Sequence, residues 1–91
     1  MPYIKPEDRM FFDEKISFKN NAIQTPGELN YFLTKIIDHY IFSHGKNYNS
    51  INDVIGVLEC AKLELYRRIA APYEDSKIQQ NGDVYTVWLI K

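Results

Sequence analysis

Two adjacent arginines, Arg67 and Arg68, stand among three tyrosines, Tyr66, Tyr73 and Tyr85, in one segment of the chain. A guanidinium is planar and offers paired donors, which suits phosphate or carboxylate. Phenol rings beside it supply faces for a base and hydroxyls for hydrogen bonds. Together they describe an anion clamp: Arg67 and Arg68 on the charge, Tyr73 and Tyr85 packed on a base, Asn81 and Asp83 shaping the rim. The plainer account places both arginines at the end of a long helix, where cations meet the negative end of the dipole. Lys62 is a second anomaly. Helical spacing turns it toward Ile55, Leu58 and Ile69, with Glu59 at the margin. Either it snorkels with an i,i+3 contact to Glu59, or it lines a polar pocket.

Other reactive side chains read more simply. Glu74, Asp75 and Asp83 resemble a carboxylate group for metal or acid–base work, but no histidine is spaced to join them and no calcium-loop pattern is present. Helix-end charge at Glu74 and Asp75, with a turn-forming Asp83, explains them. His39 and His44 are five apart, not the four that sets two ligands on one helical face. Cys60 falls inside a helix without a nearby histidine, as a small packing residue. Gly27 and Gly56 form no phosphate loop, and neither a dinucleotide fingerprint nor a serine elbow occurs. No catalytic residue, metal site or cofactor is implied.

Composition bounds the setting. Ninety-one residues predict a single domain over 1–91, small enough for oligomerisation to be a natural source of extra stability. The chain is 45% hydrophobic and 25% charged, an ordinary globular balance. Seven Tyr, five Phe and Trp88 exceed what so small a core hides, which points to an interface. Eleven basic against twelve acidic side chains disfavour a general nucleic-acid binder. A lone cysteine excludes an internal disulfide. With no signal peptide and no membrane span, the expected location is the cytoplasm.

These side chains need helices to position them. Pro6, Glu7 and Asp8 suit a first helical turn, predicting a helix over about 6–16 with Met10, Phe11 and Phe12 inward, then a loop over 17–24. Thr25-Pro26-Gly27-Glu28 has capping-box spacing and opens a helix over 26–44, stopped by Gly45. Its apolar face is Leu29, Phe32, Leu33, Ile36, Ile37 and Tyr40, while Tyr31 and Phe42 fall on the other side as candidate interface residues. Ser50 and Asp53 suggest a second capping box and a helix over 51–70. Ala71-Pro72 marks a break or kink before a short helix over 73–80, with Asn81-Gly82 as its stop. Residues 84–90 predict a terminal strand or extended tail, with Tyr85, Val87 and Trp88 as further interface candidates. The expected fold is mainly α, a small bundle of three to four helices.

Five strings, MPYIKPEDR, PGELNY, VIGVLECAKLELYRR, APYED and NGDVY, make most of the chain resemble an uncharacterised family of short proteins from tailed phages, prophages, bacteria and some archaea. Phe12 to Gln24 and the tail after Tyr85 do not contribute. The matching polar residues are Asn30, Thr34, Glu59, Lys62, Glu64, Arg67, Arg68, Tyr73, Glu74, Asp75, Asn81, Asp83 and Tyr85. The resemblance implies a compact helical domain of phage-linked origin and carries over no activity. Small phage-borne helical proteins commonly act by binding, either capturing nucleotide signals of host defence or engaging a host protein. The leading expectation is therefore a non-enzymatic homo-oligomer holding a small anionic ligand, such as a nucleotide, at Lys62, Arg67, Arg68, Tyr73, Asn81, Asp83 and Tyr85. The alternative is a protein-interaction module acting on a host or phage protein. A small hydrolase using Glu59 or Asp75 is the third.

Overall fold

The computed structural model describes residues 2–16 and 22–90. It is mainly α-helical: α1 Pro6–Asp13, α2 Pro26–His44, α3 Tyr48–Leu65 and α4 Ala71–Asn81. The backbone divides into two compact units, Met1–Leu58 and Glu59–Lys91. Residues 17–21 of the expected loop lie outside the described residues.

In the first unit, α1 begins as expected, with Pro6 in the first turn and Glu7 and Asp8 at the positive dipole end. Arg9 Nε donates to the Ile4 carbonyl at 2.7 Å, tying the leading segment to the helix. The helix is shorter than the spacing suggests, ending at Asp13, beyond which Lys15 Nζ sits over the Phe11 ring at 4.2 Å. Met10, Phe11 and Phe12 do not turn inward; all three are exposed.

The bounds of α2 agree with its sequence signals because its ends are chemically explicit. Glu28 N–H donates to Thr25 Oγ1 at 3.1 Å, and Thr25 N–H donates to Glu28 Oε1 at 3.1 Å, so both halves of the capping box form. Gly45, at φ 98°, ends the helix in a backbone conformation that side chains rarely adopt. The next helix starts earlier than the Ser50–Asp53 pattern predicts. Asn47 Oδ1 accepts from Ser50 N–H at 2.9 Å, which makes Asn47 the cap and brings Tyr48 to Ser50 into α3. Ile36, Ile37 and Tyr40 of α2 share an apolar hollow of about 170 Å³ with Asp53, Val54, Val57 and Leu58 of α3.

In the second unit, of the break or kink expected at Ala71-Pro72, the break does not form. Helical backbone runs from Glu59 to Asn81, passing through one π-helical turn at Tyr66–Ala70. Its cause is local. In an uninterrupted α-helix the Pro72 ring would press on the Arg68 carbonyl and offer it no N–H. The wider turn instead has Ala71 N–H donate to the Tyr66 carbonyl, five residues back. Thus α4 begins two residues before the predicted 73. It ends at Gly82, where φ is 87° and the N–H donates to the Ile78 carbonyl at 2.8 Å.

No strand forms among the described residues of 84–90. Val87–Leu89 is a 3₁₀ turn instead. Asp83 organises it: Oδ1 accepts from Tyr85 N–H at 2.9 Å, and Oδ2 accepts from Trp88 Nε1–H at 3.1 Å. A short β-prone run with no neighbouring strand has nothing to complete a ladder, so the local Asp83 bonds win.

Candidate functional site

One concave surface gathers polar and aromatic groups within the second unit. It is a hollow of about 600 Å³ whose wall includes Tyr66, Ala70, Ile78 and Tyr85, with Asn81 and Asp83 at its α4 end. Glu74, Asp75 and Lys77 also line it. Three carboxylates against one ammonium leave the lining formally at −2. That sign opposes an anionic ligand in this hollow.

The seven residues expected to bind a ligand are divided. Asn81, Asp83 and Tyr85 line the acidic hollow. Lys62 lines a separate apolar hollow of about 400 Å³ with Leu63, Leu65, Tyr66 and Ala70. Its ammonium is 3.6 Å from Glu59, and the two side chains are 73% and 56% exposed, so the charge stays in water. Arg67, Arg68 and Tyr73 line neither hollow. Arg67 donates to Glu64 Oε1 at 2.9 Å, and Lys77 Nζ lies 5.4 Å from the Tyr73 ring centre.

The three arginines are unequally engaged. Arg9 and Arg67 have the partners just given, whereas exposed Arg68 has none among the described residues. Arg68 is two positions from both Tyr66 and Ala70, about half a turn from each, and it does not line the acidic hollow. The π-turn that presents it was the site feature sequence reasoning missed. Its one signal was Pro72, which reads equally well as a helix break.

The remaining candidates resolve into local structure. His44 stacks on Tyr40 with ring centres 4.1 Å apart, and its Nδ1 lies 2.8 Å from the Tyr40 carbonyl. Among the described residues no group of three His, Cys, Asp or Glu side chains is placed to hold a metal. Cys60 is exposed. The expected interface residues Tyr31, Phe42, Tyr85, Val87 and Trp88 are all exposed, Phe42 at 88%.

That exposure is general. Among the described residues no hydrophobic side chain is buried, and Ser50 is the one buried polar residue. No helix of the described residues is long and apolar enough to cross a membrane.

Fold and surface thus define a class: a mainly helical protein whose helices carry apolar side chains that are exposed among the described residues. The chain belongs to the family described as a domain of unknown function (DUF6899), whose model matches residues 1–84. The match runs through Phe12 to Gln24, which the shared strings left out, and it stops before Trp88. No curated protein and no solved structure matches this chain.

Proposed function

We propose that this protein is a non-enzymatic interaction module that works as a homo-oligomer, and that its phage-linked role is to engage a host or phage protein. One observation carries this reading: each helix presents large apolar side chains, yet none is buried among the described residues. Ordering a residue costs about 1–2 kcal/mol, and caps or helix propensity return only a fraction of that. Covering a Leu, Ile or Phe contributes about 1.5–3 kcal/mol, so the apolar faces need a surface to cover them. Phe42 and Tyr31 on α2, with Tyr85, Val87 and Trp88, supply the kind of aromatic anchors on which interfaces concentrate their energy. Native mass spectrometry and a pull-down from phage-infected cells test the reading. A defined oligomer that captures a specific partner supports it; a monomer that recovers only itself overturns it.

A second reading keeps the small anionic ligand. It rests on Arg68, whose guanidinium is unpaired on a π-turn, a backbone form often found at functional sites. Arg67 and Tyr73, which also line neither hollow, are its companions in this reading. Thermal shift across a nucleotide panel checks it: stabilisation that Arg68→Gln abolishes supports a ligand, and a flat response removes it.

A further inference from the structure

The second unit carries two complementary features on one helix. The acidic hollow, walled by Tyr66, Ile78 and Tyr85, bears Glu74 and Asp75, neither of which has an ion-pair partner among the described residues. Arg68, the arginine without a partner there, is exposed on the same helix and does not line the hollow. A guanidinium suits such a hollow closely: its fork pairs with carboxylates and its flat face stacks on phenol rings. Within one copy Arg68 does not line the hollow and pairs with neither acid, so neither feature is satisfied from within. A second copy can satisfy both.

We propose that the acidic hollow of one protomer receives Arg68 of the next, so that copies of this chain join head to tail. This rests on the homo-oligomer reading and specifies its contact. Such an interface uses two different patches per protomer, and closes into a ring or extends as a fibre according to the rotation between copies. Glu74 and Asp75 meet the guanidinium, while Tyr66 and Tyr85 cover its faces. The π-turn has a role here, since it sets where Arg68 points relative to the α4 residues of the hollow.

Charge reversal tests the contact with the full chain. Arg68→Glu and the paired substitution Glu74→Lys with Asp75→Arg are each expected to weaken association at least tenfold, read as loss of oligomer by native mass spectrometry at micromolar protein. Mixing the two variants is expected to restore the oligomer as a heteromer, because each brings the surface that the other lacks. If a variant alone loses helix, recovery of helix and mass on mixing counts for the contact equally. Variants that keep the wild-type mass, or dissociated variants that stay apart when mixed, overturn this inference while leaving the homo-oligomer reading intact. A wild-type chain that is monomeric at every concentration overturns both. If Arg68 serves an anion instead, Arg68→Glu removes the nucleotide-induced thermal shift and leaves the mass unchanged.

Discussion

At the scale of residues, Asp83 shows how one side chain decides a local structure. Its two carboxylate oxygens hold the Tyr85 amide and the Trp88 indole, and the chain after α4 follows that lead into a 3₁₀ turn. Each such bond contributes about 0.5–1.5 kcal/mol. Asp83→Ala is therefore expected to free the tail without unfolding the helices. Trp88 is the only tryptophan, so a change in its fluorescence with an unchanged circular dichroism spectrum would show this. The same residue marks how far side-chain reasoning reaches. A turn-forming Asp83 was legible from NGDVY, whereas its bond to Trp88 was not, because β-branched and aromatic residues at 84–90 carry a strand signal. The family match includes Asp83 and ends before Trp88, so the acceptor belongs to the shared region and the donor lies beyond it.

At the scale of elements, legibility followed the chemistry of the helix ends. Thr25 and Glu28 specify the start of α2 so fully that its bounds could be read directly, and Gly45 closes it. Thr25→Ala is expected to cost about 1 kcal/mol, measured as a lowered urea midpoint at fixed protein concentration. The start of α3 was misread because Ser50 and Asp53 imitate a capping box, while the operative cap is Asn47, one residue before Tyr48. Proline was the harder case. Pro72 obstructs an α-helix at the Arg68 carbonyl, and a break and a π-turn are both remedies; sequence does not choose between them. Pro72→Ala restores the missing N–H. It is expected to relax Tyr66–Ala70 to α-helix, giving a newly protected amide at position 72 in hydrogen exchange. It should also weaken association, since it turns Arg68 relative to the hollow.

At the scale of the whole molecule, the main disagreement between sequence and structure concerns burial. Periodicity gives α2 an apolar face, but it cannot say what covers it, because a face bound for a core and one bound for a partner have the same pattern. The anion clamp met a similar limit. Arg67, Arg68, Tyr73, Asn81, Asp83 and Tyr85 are close in sequence, yet the helix sends Asn81, Asp83 and Tyr85 to an acidic hollow and the arginines elsewhere. Phe42→Asp offers a check on the apolar half of the account. Phe42 is 88% exposed, so the substitution is expected to weaken association, with helix content falling as the oligomer dissociates, or to reduce partner capture.

The central claim is that these helices are covered by other copies of the chain. Native mass measured over a hundredfold range of protein concentration tests it most directly. The expected result is one defined oligomer, a whole-number multiple of 10.7 kDa, that dissociates only with loss of helical structure. A stable, fully helical species at 10.7 kDa across that range would contradict it.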